Sequence, residues 1–75
     1  MFIQENFCQR LRSLRQLNKL TLEQLGAEFN VTKQTVSHWE NGDRLPPLDV
    51  ATTLAEYFNV SLDYLVGSSD NPKRR

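Results

Sequence analysis

Three places in the chain repeat one arrangement: an apolar residue, a hydroxyl residue, and a second apolar residue five positions after the first. They are Leu20-Thr21 with Leu25, Val31-Thr32 with Val36, and Val60-Ser61 with Leu65. A hydroxyl side chain just ahead of an apolar-periodic run accepts a bond from an otherwise orphaned N–H of a first helical turn, and the flanking apolar pair clamps the entering chain as a hydrophobic staple. At Thr21 the signal is stronger still, because Gln24 three residues on completes a capping box. Three helix starts within 75 residues leave room only for short helices packed on one another.

The segments between these starts agree. From Glu5 to Asn18, a period of about 100° per residue places Phe7, Leu11 and Leu14, with the preceding Ile3, on one face. Gln9, Arg12, Ser13 and Gln16 fall opposite. A second helix runs from the Thr21 cap to about Phe29, and a third follows Thr32. A fourth begins near Pro47, whose missing N–H costs nothing in a first turn, and carries Leu48, Ala51, Leu54, Ala55 and Phe58 inward. The fifth follows Ser61 and stops at Gly67. No stretch alternates like a strand, so the fold expected is all-α, five helices over residues 1–67. The remainder, Ser-Ser-Asp-Asn-Pro-Lys-Arg-Arg, has no apolar residue and reads as a flexible polar and basic tail or the start of a linker.

The tightest connection is the most informative. Only Asn30 and Val31 separate the second and third helices, a turn that requires one residue at positive φ, which Asn tolerates. Gly26, inside the second helix, costs about 1 kcal/mol against alanine and so asks for a close backbone approach. A helix-turn-helix pair supplies that approach.

Composition narrows the function. A chain this short holds one core with a thin margin of stability, which argues against a deep catalytic cavity. Cys8 is the single cysteine and His38 the single histidine, so neither a disulfide nor a zinc site can organise the fold, and no metal or cofactor is expected. No run approaches the ~20 apolar residues of a membrane span and no signal-peptide pattern opens the chain, from which a cytoplasmic location is expected. No Gly-rich phosphate loop or carboxylate pair accompanies His38, so an enzyme with a small-molecule substrate is not expected. Nine basic and nine acidic residues cancel, so a nucleic-acid partner would have to be met by a local patch.

The third helix offers one. With Val36 and Trp39 turned inward, Gln34, Ser37, His38 and Asn41 lie on the far side and Lys33 and Glu40 on the flanks. These are the side chains that pair with base edges in a major groove: Gln with adenine N6 and N7, Lys with guanine O6 and N7, Ser or His with several edges. They are equally the side chains of an ordinary solvated face, and chemistry alone leaves both readings open. Phosphates would be met near helix N-termini, by Thr21 with Gln24 and by Thr32. Arg15 borders the core face of the first helix, and Glu40 sits where the helix dipole disfavours an acid. Arg10 and Arg12 read as solubilising charges, Lys19 as a solvated loop residue, and Lys73, Arg74 and Arg75 as a source of nonspecific attraction.

In order along the chain, L-R-S-L-R, L-T-L-E-Q-L, V-T-K-Q-T-V-S-H-W-E-N-G, R-L-P-P-L, L-A-E-Y-F-N-V and S-L-D-Y-L-V-G resemble the successive blocks of the lambda-repressor-like helix-turn-helix family, covering roughly Phe7 to Gly67. Asn30 stands where that family usually has Gly, and Gly26 where it often has Ala. The resemblance implies a compact five-helix DNA-binding domain. It assigns base contacts to Lys33, Gln34 and His38 with Ser37 beside them, a backbone contact to Arg44, and a bracing pair to Arg15 and Glu40. The function it implies is a sequence-specific regulator of transcription, a repressor bound as a homodimer to an inverted repeat in double-stranded DNA. The competing reading is a protein-interaction module, an antitoxin or recruiting subunit, using Leu45, Tyr57, Tyr64 or Val66, which serve equally well as core or dimer contacts.

Overall fold

The computed structural model describes residues 4–73. Ile3, assigned by periodicity to the inner face, and the tail residues Arg74 and Arg75 lie outside the described residues. Within them the chain forms five helices: α1 Gln4–Leu17, α2 Leu22–Glu28, α3 Lys33–Asn41, α4 Leu48–Tyr57 and α5 Leu62–Leu65. No strand occurs among the described residues.

The three sequence starts are three N-caps. Thr21, Thr32 and Ser61 stand in extended backbone, and their hydroxyls accept from the amides of Gln24, Thr35 and Tyr64. The Thr21 and Gln24 capping box is complete in both directions, at 2.8 and 3.0 Å. Each start is also the end of the preceding helix. Lys19, Asn30 and Asn59 hold φ of 57°, 56° and 57°. The residue after each donates back five positions: Leu20 to Arg15 O at 3.1 Å, Val31 to Gly26 O at 2.9 Å, Val60 to Ala55 O at 2.9 Å. This is the Schellman closure, in which an apolar contact commonly accompanies a left-handed residue. One three-residue connector, a left-handed residue, an apolar plug and a hydroxyl cap, therefore builds the α1–α2, α2–α3 and α4–α5 corners. Sequence reasoning found the left-handed residue only at Asn30.

Gly26 has the neighbour its position asked for. A Cβ built there would meet the carbonyl oxygen of Val31 at 2.7 Å and the backbone of Thr32 at 3.2 Å. The close partner is the turn entering α3, so α2 can descend onto α3 only with no side chain between them.

Phe7, Leu11, Leu25, Val36, Trp39, Leu54, Ala55, Phe58, Val60 and Leu65 form one core, with all five helices or their caps contributing. Leu48 corrects the inward face expected of the fourth helix: it is 74% exposed. Periodicity aligns it with Ala51 and Leu54, yet the first turn of α4 projects past the packed layer. There Leu48 borders an open apolar groove with Phe7, Leu45, Pro46, Ala51 and Val66. Of the other apolar surface candidates, Leu45 and Tyr57 are exposed, while Tyr64 and Val66 are half-buried.

The segment after Gly67 is polar, as composition says, but its described part makes specific bonds. Arg10 Nη1 donates to the carbonyls of Tyr64 and Ser69, each at 2.6 Å, and Nη2 reaches Asp70 at 2.9 Å. The guanidinium also lies 4.2 Å from the centre of the Tyr64 ring. Ser61 N–H donates to Pro72 O at 2.9 Å. Arg10 is thus a clamp between α1, α5 and residues 69–70, which corrects its reading as a solubilising charge. A guanidinium has enough donors to gather three acceptors that apolar burial could not hold.

Candidate nucleic-acid interface

α3 is presented by α1 and α2, which both pack against it. Val36 and Trp39 anchor its inner side, and Lys33, Gln34 and His38 are exposed, with Ser37 half-buried beside them. The side chains of Lys33 and Gln34 make no hydrogen bond to the rest of the chain among the described residues, and His38 Nδ1 lies 3.3 Å from Asp43 Oδ2 while its side chain stays half exposed. A run of one and a half turns therefore offers donors and acceptors that the fold does not use.

Its setting rests on a buried carboxylate. Glu40, placed by the sequence on a flank of α3, is instead only 5% exposed, and it faces α1. Arg15 meets it with two bonds, Nε to Oε2 at 2.6 Å and Nη2 to Oε1 at 3.1 Å, while Nη1 donates to the Leu20 carbonyl at 2.9 Å. The paired geometry is the one in which charge-assisted bonds are strongest. Arg15 thus ties the C-terminal end of α3 to α1 and to the corner that starts α2.

A second guanidinium, which helical periodicity places on the solvent face, also turns toward Glu40. Arg12 lies 3.4 Å from Glu40 Oε1 through Nε, and its Nη2 donates to the Glu40 carbonyl at 3.4 Å and to Asn41 Oδ1 at 3.2 Å. Its side chain remains half exposed. The available signal was its spacing from Arg15: residues three apart share a helix edge.

The expected phosphate-contacting residues all lie in exposed positions: Thr21, Gln24, Thr32 and Arg44. In the capping box Thr21 Oγ1 and Gln24 Oε1 both act as acceptors, which leaves the Thr21 hydroxyl proton and the Gln24 amide protons available to an anion. Thr32 Oγ1 accepts from Thr35 N at 3.2 Å and pairs with Thr35 Oγ1 at 3.0 Å. Arg44 follows a left-handed Gly42, and its amide donates to His38 O at 3.3 Å, so the loop folds back beside the end of α3.

Cys8 is half-buried, and burial pushes its thiol pKa up, which makes it a poor nucleophile. No group of three or more potential metal ligands occurs among the described residues, and no helix there is long and apolar enough to cross a membrane.

Comparison with known proteins adds the following. A family model described as helix-turn-helix matches residues 11–65. The chain is 42% identical over 66 residues to the uncharacterized HTH-type transcriptional regulator YobD of Bacillus subtilis (strain 168), covering 88% of this chain and 59% of that protein. It is 30% identical over 64 residues to the HTH-type transcriptional activator BcrR of Enterococcus faecalis, covering 85% and 31%. It is 31% identical over 65 residues to the HTH-type transcriptional regulator ImmR of Bacillus subtilis (strain 168), covering 87% and 51%. The chain thus spans from about a third to three fifths of the length of these relatives. No solved structure matches it at comparable significance.

Proposed function

This chain belongs to the helix-turn-helix family, and we propose that it is a sequence-specific regulator of transcription that reads double-stranded DNA by laying α3 in the major groove. The observation that carries the reading is the exposed hydrogen-bonding face of Lys33, Gln34 and His38, with the Lys33 and Gln34 side chains unbonded, on a helix braced by the buried Arg15–Glu40 pair. Lys33, Gln34, Ser37 and His38 contact base edges; Thr21, Gln24, Thr32 and Arg44 contact phosphates and set the register. Because the net charge is zero, bulk attraction contributes little. Affinity follows from where these groups stand.

The protein acts as a dimer on an inverted repeat, each α3 reading one half-site. The exposed Leu45 and Leu48 beside an apolar groove offer a surface on which two copies could pair. Its regulatory role is repression by occupying promoter DNA; no catalysis is involved, and it works in the compartment that holds the DNA, the cytoplasm. The DNA-binding domain is residues 1–67, followed by the polar segment 68–75, whose residues 69, 70 and 72 bond back to Arg10 and Ser61. Selection of bound duplexes from a random pool tests the reading. The expected result is an inverted repeat whose half-site centres lie about 34 Å apart or a multiple of it. Recovery of no preferred sequence would remove base reading from α3 and leave a protein-binding module.

A further inference from the structure

We propose that Arg12, acting through Asn41, fixes Ser37 as a hydrogen-bond donor toward DNA, so that the base facing Ser37 must present an acceptor and cytosine is rejected there. The inference rests on the reading of α3 as the base-contacting helix, and it names a positioning residue on α1 that touches no base.

The chemistry runs in one direction. Arg12 Nη2 stands 3.2 Å from the Asn41 amide oxygen. A guanidinium has donors and no acceptor, so only the oxygen edge of the amide can face it. The other edge of Asn41 is then its NH2 group, which lies 3.2 Å from Ser37 Oγ. That group only donates, so Ser37 must accept, and its single proton is directed elsewhere. Serine and threonine within a helix commonly return that proton to the carbonyl four residues back. Thr52 and Thr53 do so, both at 2.9 Å, to the carbonyls of Leu48 and Asp49. Ser37 makes no such bond among the described residues, and it shares its helix face with Gln34 and His38.

Arg12 is itself held, since the Glu40 carbonyl and carboxylate each lie 3.4 Å from it. Its orientation is therefore set by a buried acid and passed to the half-buried Ser37 hydroxyl through one amide. In a major groove, purine N7, guanine O6 and thymine O4 accept a proton, whereas cytosine offers only its N4 amino donors. Without Arg12 the Asn41 amide can turn over, Ser37 can donate or accept, and cytosine becomes tolerable.

Selection from a random duplex pool, run on the full chain and on three variants whose folding is checked by thermal melting, tests the relay. For the wild-type chain one step of the enriched site should disfavour cytosine by roughly three- to tenfold, the worth of one hydrogen bond. Ser37→Ala should abolish that bias, and Arg12→Ala should reduce it to below about twofold, while the steps read by other residues keep their preference. Asn41→Asp carries the sharper expectation at an exposed position that the core does not need. Its carboxylate accepts from Arg12 and from the Ser37 hydroxyl, so the Ser37 lone pairs face the groove and cytosine becomes the favoured base. Persistence of the wild-type bias in Arg12→Ala or Asn41→Asp would overturn the relay, as would a uniform loss of affinity in Arg12→Ala with an unchanged sequence pattern, which would make Arg12 a phosphate contact. A pool that the wild-type chain does not enrich at all would take down base reading itself and the relay with it.

Discussion

Removing Arg15 should loosen the whole arrangement on which DNA reading depends, and the expected cost follows from the geometry. Two unit charges about 4 Å apart attract by about 4 kcal/mol at an effective dielectric constant of ~20, but each ion has also given up hydration worth several kcal/mol. The pair's net worth is therefore small, and the damage comes from stranding one partner. Truncating one side of a buried pair costs ~3–5 kcal/mol. Here both survivors keep some help. Glu40 retains Arg12 at 3.4 Å, and Arg15 retains the Leu20 carbonyl at 2.9 Å. The expectation falls accordingly, to ~3 kcal/mol for Arg15→Ala, which leaves a carboxylate only 5% exposed, and ~2 kcal/mol for Glu40→Ala, whose orphaned guanidinium can move toward water. In a domain of this size ~3 kcal/mol corresponds to a melting shift of ~12–24 °C. The double variant strands neither partner of the pair and should cost less than Arg15→Ala alone, about 2 kcal/mol against the ~5 kcal/mol sum, giving a coupling of ~3 kcal/mol. Urea unfolding followed by the fluorescence of Trp39, the only tryptophan and 3% exposed, measures each corner of the cycle. Additivity within ~0.3 kcal/mol would refute the brace.

Three further outcomes check the fold that positions the interface. Gly26→Ala should destabilise by ~1–3 kcal/mol despite alanine's better helix propensity, because the new Cβ would stand 2.7 Å from the Val31 carbonyl oxygen; a neutral or stabilising effect in the same urea titration would contradict the tight corner. Arg10→Ala should release the segment after Gly67, seen as faster amide exchange at Ser61, whose N–H donates to Pro72 O, and at Ser68 and Ser69, which donate to Asp63 O; unchanged protection would deny Arg10 its clamping role. Leu48→Asp should change stability by no more than ~0.5 kcal/mol, since the side chain is 74% exposed, and should weaken self-association in sedimentation; a large loss of stability would return Leu48 to the core.

What was legible in the sequence was what is local. Thr21, Thr32 and Ser61 cap helices through bonds to the amide three residues on, so their signal sits within one turn. Gly26 and Asn30 were legible for a related reason: each departs from what its element prefers, and only a tight corner explains both. The burial of Glu40, the turn of Arg12 toward it and the grip of Arg10 on residues 69–70 were not read from periodicity. Those bonds join residues 25 to 60 positions apart, and a helical wheel says which side a charge faces but not what stands opposite. The Arg15–Glu40 pair came forward only through family resemblance. Leu48 failed for the converse reason, since its period was right and no packed layer reaches that far. Lys19 and Asn59 adopt the left-handed corner of Asn30 without a glycine to announce it.

The central claim is that α3 reads bases while the residues around it hold phosphates, and one paired titration separates the two roles. Binding of wild-type, Gln34→Ala and Arg44→Ala chains is measured on the selected duplex and on an unrelated one over a range of salt concentrations. Gln34→Ala should lose ~1–3 kcal/mol on the selected duplex and almost nothing on the other, with an unchanged salt slope. Arg44→Ala should lose affinity equally on both and lower the slope by about two for the dimer, as one fewer counterion is released per protomer. Equal losses on the two duplexes for Gln34→Ala would contradict base reading by α3.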